Sequence, residues 1–341
     1  MTPSMAERLQ GWARDAISPD AQVTGVSAMP GNSGYSFGFD VVTGSQRERL
    51  VIRLPPPGAA AARNSDVLRQ ARIISAMGEA GIPVPKVRWS EPQSAWFGAP
   101  YYVAEFVDGR STHIFDPTKS DQEDGARLEG VFTDGMRILA GIHRVDWHSR
   151  IPDWSAPLDL GEEIEQWLPT LQKAENQEWI RLATALAALL HSTRPTQPEA
   201  TVVHGDFYSN NWLFQDDHLT AVLDWELATI GSPGLDLGWI CMMYDRPAWG
   251  EARHQWSAWS PTPDDLVASY ESAGGARVDD LNWYRALASY RLGCITARAH
   301  TLHRTGKRPD PAWDVLADSF GPMVTRGFDL LGAALPVKAT T

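Results

Sequence analysis

The sequence VHGDFYSNNWLF occupies residues 203–214, and AVLDWE follows at residues 221–226. Turn-forming residues separate two short apolar pieces here, and this pattern predicts a β-hairpin. The hairpin brings the loop that holds Asp206 and Asn211 beside the end of the strand that holds Asp224. Three oxygen-bearing side chains are therefore expected to converge at one point.

This set of side chains is typical of phosphoryl transfer. Mg²⁺ prefers oxygen ligands, such as the amide of Asn211 and the carboxylate of Asp224. The reaction also needs a carboxylate that ligates no metal and receives the proton of an acceptor hydroxyl, a role that suits Asp206. A metal-dependent phosphoester hydrolase built on His204, Asp206 and Asp224 is an alternative, although the sequence shows no further His/Asp motif of the metal-binding kind.

The order of predicted elements indicates two lobes. A chain of 341 residues is long enough for two, because single hydrophobic cores stop growing below this length. The pattern up to Val107 is mostly strand, and the pattern after it is mostly helical, including a predicted helix over residues 161–173. We predict an α+β fold with a small β-rich N-terminal lobe, residues 1–107, and a larger helical C-terminal lobe, residues 108–341. The crevice between them is the natural place for a site.

Composition narrows the class of partner. The formal net charge is −12, and no long block of Lys and Arg occurs, so a nucleic-acid partner is not expected. No apolar run approaches the roughly 20 residues needed to cross a bilayer, and the N-terminal residues lack the pattern of a secretory signal. The only two cysteines, Cys241 and Cys294, fit a reducing compartment. We expect a cytoplasmic protein without a membrane partner.

The two quoted stretches resemble the catalytic and metal-binding loops of the aminoglycoside phosphotransferase and choline kinase-like family, which has the bilobal protein kinase-like fold. Asp206 matches the family's catalytic Asp, Asn211 its first metal-binding Asn, and Asp224 its metal-binding Asp. The run GSPGLDL at residues 231–237 resembles the next family segment, whose Asp, here Asp236, holds the catalytic loop. The resemblance implies a Mg²⁺-dependent kinase that uses ATP, with GTP as an alternative, to phosphorylate a hydroxyl of a small molecule.

The resemblance extends into the N-terminal lobe. Arg53 lies on the strand that carries the family's phosphate-binding lysine. Glu105 and Val107 match the hinge, where the C=O of Glu105 and the N–H of Val107 would bind the adenine edge. The family's nucleotide-covering turn falls on four small or polar residues, namely Gly31, Asn32, Ser33 and Gly34.

Two positions depart from the family pattern. Arg53 replaces the lysine and keeps its positive charge, which is carried on a planar guanidinium. Gln70 stands where a helix normally supplies a glutamate, so the usual ion pair becomes at best a charge-assisted hydrogen bond, unless another acid such as Glu79 substitutes. Because the three residues of the proposed catalytic set are intact, we favour an active enzyme over a catalytically degenerate nucleotide-binding scaffold of the same fold.

The acceptor is less closely defined. The run Leu-Asp-Trp-Glu at residues 223–226 resembles the kinase portions of acyl-CoA dehydrogenase-associated proteins, which implies a hydroxyacyl-CoA, another hydroxylated metabolite, or a xenobiotic or antibiotic. Arg291 and Arg298 are seven residues apart on one helical face and are able to clamp an anionic acceptor, with surface salt links as the simpler interpretation. Glu226 is either a contact to metal or acceptor or a supporting carboxylate. A monomer or a homodimer is expected.

Overall fold

The computed structural model describes residues 3–29, 35–58, 63–93, 95–112, 125–196, 198–216, 218–251 and 259–336. Within these ranges an antiparallel sheet is followed by a mainly helical region, which confirms the predicted α+β class. The strands are β1 (Gln22–Ala28), β2 (Tyr35–Thr43), β3 (Gln46–Leu54), β4 (Val87–Glu91), β5 (Tyr101–Glu105), β6 (Thr201–Val203), β7 (Trp212–Gln215), β8 (His218–Val222) and β9 (Thr229–Gly231). The helices are α1 (Met5–Ala16), α2 (Val67–Glu79), α3 (Gly125–His143), α4 (Trp147–Arg150), α5 (Leu160–Glu165), α6 (Leu168–Leu171), α7 (Gln177–Ser192), α8 (Gly234–Met243), α9 (Pro263–Ser272), α10 (Leu281–Arg304), α11 (Ala312–Ala317) and α12 (Phe320–Leu330).

The five-stranded sheet has the order β1-β2-β3-β5-β4, with α1 packed against it. Leu50, Ile52 and Leu54 alternate along β3 and are buried in the core that α1 covers. Side chains of a strand point to opposite faces in turn, so Arg53 lies on the other face of the sheet. Trp12 of α1 fixes this packing, because its Nε1–H donates to the Tyr101 hydroxyl over 2.8 Å.

The helical region contains the predicted hairpin. Strands β7 and β8 pair antiparallel, with Trp212 opposite Val222, and Asp216 at the turn has a φ of 52°. The core beneath the hairpin includes Ile73 and Met77 from α2. Helix α2 therefore packs against the helical region, so that it joins the sheet to the part of the chain that holds the candidate site.

Two details differ from the predictions. The helix predicted over residues 161–173 is two short helices, α5 and α6, because Pro169 has no N–H to donate and its ring clashes with the preceding turn of a continuous helix. Strand β9 was not predicted, since its three residues, 229–231, are too few to show a period. It pairs with β6 and so supports the segment that leads into the loop of Asp206.

None of the helices in the described ranges is both long and apolar enough to cross a bilayer.

Candidate active site

The loop that follows β6 is held by a buried carboxylate. Asp236, at the start of α8, is fully buried and accepts from the backbone N–H of His204 and from that of Gly205, each over 2.7 Å. His143 Nε2 lies 3.2 Å from the same carboxylate, and the Tyr270 hydroxyl lies 2.7 Å from His143 Nδ1. This buried network fixes the backbone just before Asp206.

The imidazole of His204 supports the loop rather than facing a reactant. Its Nδ1 accepts from the backbone N–H of Asp206 over 3.2 Å, so the ring proton is on Nε2, which donates to the carbonyl of Leu223 over 2.9 Å. Both nitrogens are used, and the residue is buried. His204 therefore links the backbone of Asp206 to the end of the hairpin and is not the base of a hydrolase.

The structure brings together Asp206, Asn211 and Asp224. Asn211 Nδ2 donates to Asp206 Oδ2 and to the Asp206 carbonyl, each over 2.9 Å. The carbonyl of Asn211 accepts from the N–H of Leu223 over 2.8 Å, which ties this loop to the residue before Asp224. Asp224 has a left-handed backbone, with φ 60° and ψ 62°, a conformation that is costly for a residue with a Cβ and that clusters at functional sites.

The donors at this point fit Mg²⁺. Oδ1 of Asp224 is buried and has no hydrogen-bond partner. The amide nitrogen of Asn211 is directed at Asp206, so the amide oxygen is left for another partner. No group of three or more His, Cys, Asp or Glu side chains surrounds a common point in the described ranges, as a zinc site would require. Mg²⁺ needs only one or two protein ligands beside phosphate and water oxygens.

The carboxylate of Asp206 is unusually basic. Burial raises its pKa above the ordinary value of 3.8, and the charge of Asp224 acts in the same direction. The charge of Arg291 and the hydrogen bond from Asn211 oppose the rise without cancelling it. A carboxylate with a raised pKa is a better proton acceptor than an exposed one.

Arg53 has a different partner from the one that sequence reasoning suggested. Its Nη2 donates to Glu226 Oε2 over 2.9 Å and lies 3.7 Å from Asp224 Oδ1, while Nη1 donates to Ser36 Oγ over 3.3 Å. Both members of the Arg53–Glu226 pair are mostly buried, with 16% and 12% of the side chains exposed. Glu226 thus holds the guanidinium beside Asp224.

The two suggested partners are used elsewhere. Gln70 is buried and donates to the carbonyl of Asn64 over 2.8 Å, so the expected hydrogen bond to Arg53 is wrong. Glu79 lies 3.7 Å from Arg150 and does not substitute for the missing glutamate. The family pattern predicts an acidic partner for Arg53 on α2. The acidic partner in the structure is Glu226, two residues after Asp224.

Some of the residues predicted to contact a nucleotide lie within the described ranges. Glu105 ends β5, and its side chain pairs with Arg88 over 2.9 Å, which leaves only its backbone for a nucleotide. The N–H of Val107, just beyond the strand, makes no hydrogen bond within the described residues. The turn predicted at Gly31, Asn32, Ser33 and Gly34 lies outside the described residues.

A cavity of about 770 Å³ adjoins the site. Gly205 and Glu226 line it on the side of the catalytic loop, and Trp167 and Arg291 line it on the side of the helices. Arg291 is 7% exposed and has no salt bridge among the described residues, so the expected surface salt link is wrong for this residue. Arg298 is half-buried and donates to the carbonyl of Lys173 over 2.9 Å, so the two arginines that the sequence grouped have different surroundings.

Comparison with known proteins identifies the family of the chain. Residues 27–267 match the profile of the phosphotransferase enzyme family. The chain is 28% identical over 270 residues to mouse acyl-CoA dehydrogenase family member 10, an alignment that covers 76% of this chain and 25% of that protein. The chain spans between 25% and 38% of the length of the acyl-CoA dehydrogenase family proteins that it matches.

Solved structures with the same fold cover nearly the whole chain. A Ralstonia eutropha protein provisionally named an aminoglycoside phosphotransferase superposes with a TM-score of 0.76 at 24% identity, covering 97% of this chain and 99% of that one. An aminoglycoside phosphotransferase in a ternary complex with AMP-PNP and hygromycin B superposes with a TM-score of 0.60 at 15% identity, covering 95% and 98%. At these identities the superpositions establish the kinase-like fold.

Proposed function

This chain belongs to the phosphotransferase enzyme family, and from that premise we propose that it moves the γ-phosphoryl group of ATP to a hydroxyl of a small molecule with the help of Mg²⁺. The convergence of Asp206, Asn211 and Asp224 carries this proposal. It unites a basic carboxylate, an amide and a second carboxylate with a buried oxygen that has no hydrogen-bond partner. This is the set of groups that phosphoryl transfer to an alcohol requires.

Asp206 receives the proton of the acceptor. Asn211 holds Oδ2 of Asp206, which leaves Oδ1 to bind and orient the acceptor hydroxyl. As the hydroxyl oxygen forms its bond to the γ-phosphorus, the bond from that phosphorus to the β–γ bridging oxygen breaks, and ADP leaves. The proton of the hydroxyl passes to Asp206 late in this step, since a carboxylate is a weak base even when burial raises its pKa.

Asn211 and Asp224 are the residues that would hold Mg²⁺, and the ion would supply positive charge to the phosphate oxygens. Arg53 adds a second positive charge on the sheet side of the crevice, where it binds the phosphates of the nucleotide. Glu226 keeps the guanidinium of Arg53 oriented through their ion pair. The assignment of residues 31–34 to phosphate binding rests on sequence alone.

The base of the nucleotide is proposed to bind at the end of β5. The N–H of Val107 has no partner within the described residues and is available to the adenine edge, together with the carbonyl of Glu105. A lobe boundary after Val107 would make this segment the hinge. The boundary, a cytoplasmic location and a monomeric or homodimeric state remain predictions from sequence.

The experiment that tests this function measures nucleotide consumption with Mg²⁺ over a panel of hydroxylated acceptors. The panel contains hydroxyacyl-CoAs, hydroxy acids, amino alcohols, aminoglycosides, macrolides and phenols, and Asp206→Asn is the matched control. Acceptor-dependent consumption that the variant loses supports the kinase. Nucleotide binding without acceptor-dependent consumption contradicts it and favours the scaffold, and phosphate release from monoesters without nucleotide favours the hydrolase.

A further inference from the structure

Among the described residues, none forms a direct ion pair with one buried positive charge in the cavity beside the site. The guanidinium carbon of Arg291, on α10, lies 4.2 Å from the ring centre of Trp239 and 5.0 Å from that of Trp167. Its Nε is buried without a hydrogen-bond partner, and no described residue forms an ion pair with it. A buried guanidinium without a direct ion pair is costly to a folded protein, which favours a ligand that supplies the anion.

The position of Arg291 relates it to the acceptor. It lines the cavity of about 770 Å³ that begins at Gly205, the residue before Asp206. Its charge reaches Asp206, because it is the largest influence that opposes the raised pKa of that carboxylate. A cavity of this volume suits a small ligand. A molecule that presents its hydroxyl to Asp206 is therefore able to extend toward Arg291.

Three of the acidic side chains that line the cavity, Glu163, Glu226 and Asp159, already have donors. Glu163 is 6% exposed and accepts from the side chains of Gln166 and Trp167. Glu226 accepts from Arg53. Asp159 accepts from the N–H groups at the start of α5. The cavity contains carboxylates, but the buried charge that still lacks a direct ion pair among the described residues is the positive charge of Arg291.

We propose that Arg291 binds an anionic oxygen group of the acceptor, which makes the acceptor a hydroxylated carboxylate or phosphate rather than a polyamine or a neutral alcohol. The two indole rings hold the guanidinium plane, and its N–H edge is suited to two parallel hydrogen bonds to a carboxylate or phosphate. This assignment rests on the proposed phosphotransferase function, because it takes the cavity as the acceptor site. It adds a binding residue and a substrate charge to that function.

The experiment compares acceptors that differ only in charge. Hydroxybutanoates with the hydroxyl at carbon 2, 3 or 4 are paired with the corresponding neutral hydroxybutanamides, and a hydroxypropyl phosphate forms the phosphate arm. Binding is measured by calorimetry without nucleotide, and turnover is measured with ATP and Mg²⁺. The variants are Arg291→Met, which keeps the length of the side chain without its charge, Arg291→Lys, and the control Arg298→Met on the same helix.

We expect the wild type to bind at least one of the anionic compounds on the order of 10- to 100-fold more tightly than its neutral partner. Arg291→Met should lose that preference while its KM for ATP stays unchanged. Arg291→Lys should recover part of the preference, and Arg298→Met should behave as the wild type. Equal binding of anionic and neutral partners by the wild type, or binding of no anionic compound, overturns the assignment, and this holds even where Arg291→Met fails to fold.

Failure of this assignment is distinguishable from failure of the proposed function. Turnover of neutral acceptors alone leaves the kinase in place and removes the anion site. Binding of an anionic compound that requires Arg291, without turnover of any acceptor, leaves the anion site in place and contradicts the kinase. The phosphate arm and the carboxylate arm show which anion the pocket prefers.

Discussion

Nη2 of Arg53 donates to Oε2 of Glu226 over 2.9 Å, and this ion pair joins the sheet to the segment that follows Asp224. In the family that the sequence resembles, the partner of the residue at this position comes from the helix after β3. Here that helix supplies Gln70, which donates to the carbonyl of Asn64 instead. The guanidinium of Arg53, which we assign to the nucleotide phosphates, is therefore oriented by Glu226 and not by a residue of α2.

The first prediction concerns this ion pair. Glu226→Gln removes the negative charge that holds Arg53, so the KM for ATP should rise by about tenfold, which corresponds to about 1.4 kcal/mol. Gln70→Leu is the matched control, because it removes a hydrogen bond of α2 without touching Arg53, and it should change the KM for ATP by less than about twofold. Steady-state kinetics at varied ATP measures both. A larger rise in KM for Gln70→Leu than for Glu226→Gln would mean that Gln70, at the family's usual position, orients Arg53.

The second prediction concerns the proposed proton acceptor. Asp206→Asn keeps the shape of the side chain and the hydrogen-bonding loop, but it cannot accept a proton, so turnover should fall by roughly 10²- to 10⁴-fold. Affinity for ATP should stay within about twofold. Because the pKa of Asp206 is raised in the folded protein, its ionised carboxylate lowers the free energy of unfolding at pH values above that pKa. Asp206→Asn should therefore unfold at the same or a higher urea concentration than the wild type at neutral pH. Wild-type turnover in this variant would refute the role of Asp206.

The third prediction concerns the buried carboxylate behind the loop. Burial alone would raise the pKa of Asp236, but the hydrogen bond and charge of His143 and the N–H of Gly205 together hold it below 3.8. Because the pKa of Asp236 is lower in the folded protein than in the unfolded chain, its ionised carboxylate raises the free energy of unfolding at pH values above 3.8. This contribution is lost as the pH falls from 3.8 toward the pKa of the folded protein. Asp236→Asn should therefore destabilise the fold by about 3 kcal/mol at neutral pH.

Urea unfolding of wild type and Asp236→Asn at several pH values checks this sign. The difference in unfolding free energy between the two proteins should shrink as the pH is lowered from neutral toward about 3. A difference that grows on acidification would mean that Asp236 is protonated in the folded protein at neutral pH.

The fourth prediction concerns the glycine before Asp206. Gly205 has a φ of 84°, and an added Cβ would lie 2.5 Å from the carbonyl oxygen of Leu227. Gly205→Ala should cost more than the roughly 1–2 kcal/mol of a left-handed alanine and should displace Asp206, so that kcat falls. Gly44→Ala is the matched control, because Gly44 has a φ of 60° with no atom within 4 Å of the added Cβ. Equal losses of stability in the two variants would show that the contact with Leu227 is unimportant.

Sequence reasoning succeeded where the signal is local. The hairpin of β7 and β8 follows from a turn between two apolar pieces, and it brings Asp206, Asn211 and Asp224 to one place because the chain between them is short. The signal for the break between α5 and α6 is also local, because Pro169 marks it. The helical periodicity on both sides of Pro169 predicts one continuous helix instead.

The features that the sequence did not predict depend on distant packing. Arg291 is buried because α10 lies against the helices that carry Trp239 and the segment of Trp167, and nothing in the neighbouring residues of α10 shows this. The pairing of Arg53 with Glu226 joins residues 173 positions apart. Charge at a position is visible in a sequence, whereas the partner of that charge is decided by the fold.

The central claim is that this chain transfers a phosphoryl group to an acceptor hydroxyl at Asp206. The most direct measurement supplies ATP labelled at the γ-phosphate, with Mg²⁺ and the panel of acceptors, and follows the label into the acceptor by mass spectrometry. The account predicts labelled phosphate on at least one acceptor with the wild type and its near absence with Asp206→Asn. Label that appears only as free phosphate, or equally with both proteins, would contradict the account.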